Sequence, residues 1–320
     1  MELSDEIPRR LTDSDPRLPF DVPFTTAMAM EFGVSKDELT TLVRSGVLRR
    51  VFKGVYVDSV VPDDTTQRAR SLALVLPETA IVTDETAAWL HGVDLQPPGA
   101  LVVAPALHVF QKPGATRVRK EGCAGGERTL SPADIETVQS VRVTTPLRTA
   151  SDLGRLRNRD RAVAAFDALL RLGRFSREEL ISETHRFRGQ RGVVQFRELA
   201  PMADARAESV AESFTRIRCI DGGLPPLEPQ VEIRRGGGWL ERAYLDLASR
   251  SLRFAVEYDG KAFHSSREQR ERDRRRRDWV SREENYGFAV LTDRDLFGVD
   301  RGVTAVVVRR KLEQHLRRSG

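Results

Sequence analysis

Cysteine is nearly absent from this 320-residue chain: Cys123 and Cys219 are the only two, far apart and without a Cys-x-x-Cys spacing. That excludes a disulfide framework and a cysteine-based zinc site. Cys219 falls within an apolar helical pattern and reads as a buried thiol. No apolar run approaches the roughly 20 residues that span a bilayer. The opening Met1-Glu2-Leu3-Ser4-Asp5-Glu6 lacks the basic and apolar regions of a signal peptide. A cytoplasmic setting without a membrane partner is the expectation. Histidine is scarce too, and His91, His108 and His185 are isolated residues that read as structural. No repeat of 20 to 50 residues is visible, which excludes a solenoid.

What is present is charge. Charged residues make up 31% and hydrophobic ones 40%, with a net charge of +5. That suits a globular chain with room for two or three domains. The charge is unevenly placed. Arg267 to Arg277 holds seven arginines and three acids, and such a helix points to a polyanion partner. The alternative is a solvated helix face laced with ion pairs.

Two strand-like segments, Tyr244-Leu245-Asp246-Leu247 and Phe254-Ala255-Val256-Glu257-Tyr258-Asp259-Gly260, place acids in apolar surroundings. Burying an unpaired carboxylate is costly. Glu257 and Asp259 share a strand face by the period of two, and Asp246 lies at hairpin distance. Three converging carboxylates repel one another. A divalent cation relieves that repulsion, and an all-oxygen set suits Mg²⁺ or Mn²⁺ able to activate water against a phosphodiester. The alternative is an edge strand whose acids pair with Arg242, Arg250 or Arg253.

Asp246 followed by Glu257-x-Asp259, within Glu257-Tyr258-Asp259-Gly260-Lys261-Ala262-Phe263-His264, resembles the PD-(D/E)xK nuclease superfamily. More narrowly it is similar to very-short-patch-repair-like endonuclease domains, over about residues 207 to 316. The resemblance implies a restriction-endonuclease-like αβββαβα domain with Mg²⁺ or Mn²⁺ held by Asp246, Glu257 and Asp259. Asp259 stands where the superfamily usually has lysine, and Lys261 is two residues on. His264 is a candidate general base or phosphate contact, with a structural cap as the alternative. The first helix of such folds often supplies a further acid, here Glu208 or Glu212, with Glu212 preferred. Arg270, Arg274 and Arg277 are candidate contacts to the phosphate backbone.

The N-terminal region reads differently. Ser35-Lys36-Asp37-Glu38 is a capping-box signature, Leu39, Leu42 and Val43 follow at helical spacing, and Gly46 is placed for a left-handed cap. A preceding helix at Thr25 to Phe32 and a hairpin around Lys53-Gly54 complete a winged helix-turn-helix. The string Gly46-Val47-Leu48-Arg49-Arg50-Val51-Phe52-Lys53-Gly54-Val55-Tyr56 resembles the winged helix of AbiEi-type antitoxins, which implies promoter DNA as a partner and a toxin protein as a candidate partner. Lys36, Thr40, Thr41 and Arg44 on the second helix and Arg49, Arg50 and Lys53 on the wing are the candidate DNA contacts. Protein docking is the alternative use of such a module.

Between these regions, Leu101-Val102-Val103-Ala104 and Val141 to Thr144 read as strands. Thr144-Thr145-Pro146-x-Arg148-Thr149 and Thr86-Ala87-Ala88-x-Leu90-His91-Gly92 resemble the middle domain of the same antitoxins. The expected organisation is therefore a mixed α/β, multidomain chain: a loose lead-in at 1–20, a winged helix at 21–60, an antitoxin-like middle domain at 61–200 and a nuclease-like domain at 201–320. Two functions follow. One is a metal-dependent, endonuclease-like phosphodiesterase targeted by the winged helix. The other is a non-enzymatic transcriptional regulator with a degenerate nuclease fold.

Overall fold

The computed structural model describes residues 15–19, 21–96, 107–111, 123–234, 242–259 and 267–319, with the backbone alone at 267, 269, 270 and 319. The described residues form a mixed α/β structure with three sheets. Packing divides the chain into two compact units, Met1–Asp94 with Val102–Thr145, and Leu95–Leu101 with Pro146–Gly320. The division falls inside the stretch 61–200.

The first unit opens with β1 (Phe24–Thr25), α1 (Thr26–Glu31), α2 (Lys36–Arg44), β2 (Leu48–Phe52) and β3 (Val55–Asp58). Ser35 caps α2 as expected: its hydroxyl accepts the Glu38 amide, and the Glu38 carboxylate accepts the Ser35 amide at 2.8 Å. Gly46 takes φ 71° and Gly54 takes φ 76°, conformations open to glycine at little cost. Phe24, Ala29, Val34, Leu39 and Leu48 form the core of this module. The end of the expected lead-in is tied down, because Leu18 enters the same core and Arg17 pairs with Asp15 and Glu38.

A register shift between Arg50 and Phe52 lets Val51 and Phe52 both turn inward, as a bulge does. Val51, Phe52, Val55 and Val57 thereby join a second core with Leu72, Val82, Leu90, Val109 and Val143. That core covers a five-stranded sheet. Its elements are α3 (Thr65–Ala73), β4 (Ile81–Val82), α4 (Asp84–Leu90), β5 (Leu107–Phe110), β6 (Cys123–Ala124), β7 (Ile135–Val138) and β8 (Val141–Thr144), with strand order β6-β5-β4-β8-β7. The strand expected at Leu101 to Ala104 lies outside the described residues.

The second unit begins with four helices, α5 (Pro146–Leu156), α6 (Arg159–Leu170), α7 (Arg177–Glu183) and α8 (Val193–Leu199). Then come α9 (Val210–Asp221), β9 (Glu228–Arg234), β10 (Arg242–Ser249), β11 (Phe254–Tyr258), α10 (Arg267–Glu283), β12 (Gly287–Leu291), α11 (Asp293–Leu296) and α12 (Gly302–Ser319). The sheet runs β12-β11-β10-β9, with β9, β10 and β11 antiparallel and β12 parallel to β11. Buried ion pairs join α6 to α9: Arg216 binds Asp167 at 2.7 Å and Arg218 binds Asp160 at 2.8 Å. Asp160 and Asp167 are seven apart and so share a helix face. These pairs explain why the helices before residue 200 fold with the C-terminal sheet.

Candidate functional site

In the first unit, Lys36, Thr40 and Arg44 recur every four residues and are exposed on one face of α2. The Thr40 hydroxyl donates to the Lys36 carbonyl at 2.9 Å and that of Thr41 to the Asp37 carbonyl at 3.0 Å. Arg50 and Lys53 are exposed on the β2–β3 hairpin. Arg49 is placed otherwise. Its guanidinium donates to the Val61 carbonyl at 3.1 Å and pairs with Asp63 at 3.3 Å. Asp63 also holds Arg68 at 2.9 Å. Arg49 therefore fastens the hairpin to the following loop, with its charge paired to Asp63.

In the second unit the sheet's alternation decides which way each acid points. Phe254 and Val256 pack with Val308 and Leu312 of α12, whereas Ala255 packs with Val280 of α10. Glu257, next in the alternation, falls on the α10 side. Leu247 pairs with Val256 across the antiparallel strands. Asp246 precedes Leu247 and Glu257 follows Val256, so both acids lie at the end of this pairing, and the charge of Glu257 reaches Asp246. Glu212, near the N-terminus of α9, is the third acid. Its carboxylate accepts the Ser209 hydroxyl, the Glu208 amide and the Gln230 carboxamide, the last at 3.0 Å. Glu208 itself is exposed. Glu208 precedes α9, and Glu212 is the candidate whose charge reaches Asp246.

The electrostatics follow from this placement. Burial pushes Asp246 up to about 7, and the charges of Glu212 and Glu257 add to that; the Tyr258 amide, at 3.1 Å, and Arg276 oppose it. Burial also raises Glu257, against Arg276 and Arg277. Those two arginines lie 3.1 and 3.3 Å from its two oxygens. Asp259 is exposed just beyond β11, where its amide bonds the Leu291 carbonyl at 2.8 Å. Its charge acts on the Tyr258 phenol, which donates to Asp293.

The expected trio thus separates into two electrostatic neighbours, Asp246 and Glu257, and an exposed Asp259. Among the described residues no three His, Cys, Asp or Glu side chains form a group able to hold a metal ion. With both oxygens of Glu257 facing guanidinium groups, the residues as arranged do not fit a Mg²⁺ or Mn²⁺ ion, which needs free carboxylate oxygens. Arg277 faces Glu257, and exposed Arg274 lies 4.0 Å from Asp278. The Arg270 side chain, Lys261 and His264 lie outside the described residues. The sequence reading passed over Gln230 and Arg276. Gln230 adopts φ 52°, which aims its carboxamide at Glu212 but leaves no mark in an ordinary strand pattern. Arg276 was hidden in a run of four arginines.

A capped winged helix joined to a five-stranded sheet, followed by a helical and mixed-sheet unit, defines a multidomain protein of the winged-helix class. Residues 22–57 match the family model described as a transcriptional regulator, AbiEi antitoxin. Residues 78–202 match the AbiEi antitoxin C-terminal domain. Uncharacterized proteins of two Mycobacterium tuberculosis strains, CDC 1551 / Oshkosh and H37Rv, are each 34% identical over 251 residues, covering 78% of this chain and 87% of their own length. The chain belongs to one family with these mycobacterial proteins, and its 22–57 and 78–202 segments are AbiEi antitoxin-like domains. No helix among the described residues is long and apolar enough to cross a membrane.

Proposed function

We propose that this chain is a DNA-associated transcriptional regulator of the AbiEi antitoxin type, with α2 as its DNA-reading helix. One observation carries the reading: Lys36, Thr40 and Arg44 form an exposed stripe on a helix whose start is rigidly capped, with exposed Arg50 and Lys53 on the adjoining hairpin. Cations on the hairpin supply phosphate contacts, and the helix supplies residues that reach base edges. The segment is also the one that matches a transcriptional-regulator model. Selection of duplexes from a random pool by the full chain, in EDTA, should enrich a shared sequence. A pool that stays random after several rounds sinks the reading. A toxin protein as second partner follows from the antitoxin description alone. Deleting the gene should then expose a growth arrest, and unaffected growth would contradict that partner.

A second reading, hydrolysis of phosphodiesters in the C-terminal unit, is favoured by the charges of Glu212 and Glu257 that act on Asp246. It requires Glu257 to part from Arg276 and Arg277. Cleavage of plasmid or single-stranded DNA by the purified chain, lost on Glu257→Ala, would support it. Intact substrates under every divalent ion tried would remove it.

A further inference from the structure

We propose that Arg276 and Arg277 take the place of a divalent cation as the counter-charge of the Asp246–Glu257 pair, so that two guanidinium groups hold a latent cation site closed. Two charges of +1 supply what one divalent ion would, and they come from consecutive positions of α10. Glu257 is 3% exposed, and the guanidinium contacts at 3.1 and 3.3 Å fall on different oxygens of its carboxylate. A small divalent ion would have to bind those same oxygens at roughly 2.0–2.1 Å. Cation and arginines therefore compete for one pair of atoms.

The closure is incompletely bonded. Glu257 Oε1 is buried and has no hydrogen-bond partner among the described residues, although Arg276 lies 3.1 Å from it; Arg276 itself donates to the Tyr244 carbonyl. Buried polar atoms in a settled structural pair are almost always bonded. The acid of the Asp167–Arg216 pair is settled in that sense: its two oxygens accept from Arg216 at 2.9 and 2.7 Å, and Ser213 and the Asp204 amide complete the set. Arg276 and Arg277, by contrast, are each about a quarter exposed at the side chain. They have a path to solvent that Arg216 lacks. The pair on Glu257 is thus positioned to open, and the acid pair it uncovers has the oxygen chemistry of a hard-cation site. This closure concerns the second unit alone, so the Mn²⁺ test below and duplex binding through α2 can fail separately.

The test is Mn²⁺ binding to the full chain, read from the electron paramagnetic resonance signal of free Mn²⁺. Three proteins are compared: wild type, Arg276→Gln/Arg277→Gln, and that double variant with Glu257→Gln added. Removing two positive neighbours from a carboxylate pair should tighten Mn²⁺ at least about tenfold over wild type. Adding Glu257→Gln should abolish the gain. Circular dichroism melts check folding, and if the double variant is unfolded, Arg277→Gln alone should show a gain of about threefold. Wild type binding Mn²⁺ as tightly as the folded arginine variant would overturn the proposal. So would a gain that survives Glu257→Gln.

Discussion

Two acids of the second unit, Asp167 on α6 and Asp246 on β10, meet burial in opposite ways. Burial raises the pKa of both. Asp167 answers it with the Arg216 guanidinium, a serine hydroxyl and a backbone amide. Asp246 has one amide for a partner, and two further carboxylates, Glu212 and Glu257, outweigh Arg276 among its electrostatic neighbours. The first arrangement fastens helices together. The second keeps an acid under electrostatic strain at a sheet position, and such a position is where chemistry or ligand binding is usually sited.

The difference can be broken by substitution. Asp167→Ala leaves Arg216 buried without its counter-charge, and losing one member of a buried pair costs about 3–5 kcal/mol. Urea unfolding of the full chain should show that loss as a lower midpoint. An unchanged midpoint would mean that the α6–α9 pair is not structural.

Asp246→Asn should act in the opposite direction. A carboxyl raised to about 7 in the folded chain, from about 4 when unfolded, binds more protons when folded between those values. Stability then falls as pH rises from about 4 to about 7. Asparagine keeps an acceptor for the Tyr258 amide but cannot ionise. The variant should match wild type near pH 4 and be more stable by about 1–3 kcal/mol at pH 8. A variant that is less stable at pH 8 would show that the charge of Asp246 is well compensated.

The smallest effect concerns Gln230. Its φ of 52° is a conformation that glycine adopts more easily than residues with a Cβ. Gln230→Gly and Gln230→Ala both lose the bond to Glu212, but only alanine keeps the backbone strain. Glycine should therefore be the more stable by about 1 kcal/mol, the reverse of the ordinary strand preference. Calorimetric melts of the two variants decide it, and an alanine variant equal to or above glycine would contradict the strain.

Much of the fold was legible because its signals are local. The Ser35 capping box, Gly46, and the Lys53-Gly54 turn all stand where the pattern placed them. The hairpin of β10 and β11 that carries Asp246 and Glu257 was legible too, because it needs only strand phase and a short connection. What was hidden depends on distant partners. Arg49 is taken up in an ion pair because Asp63 and the Val61 carbonyl meet it from a later loop. The helices from Pro146 join the C-terminal sheet because Asp167 finds Arg216, 49 residues away. Within the run Arg274 to Arg277 there is no apolar period to mark which arginines face the sheet, so the two on Glu257 could not be told from exposed Arg274.

The most direct test of DNA binding through α2 and its hairpin sets held and exposed arginines of the first unit against each other. Duplex affinity of the full chain is measured across salt for wild type, Arg49→Ala and Arg50→Ala/Lys53→Ala. Each phosphate contact contributes about 0.9 to the log–log salt slope. The double variant should be shallower by about 2, whereas Arg49→Ala, whose charge is held by Asp63, should keep the wild-type slope. Equal slopes for wild type and the double variant, or a loss confined to Arg49→Ala, would contradict the account.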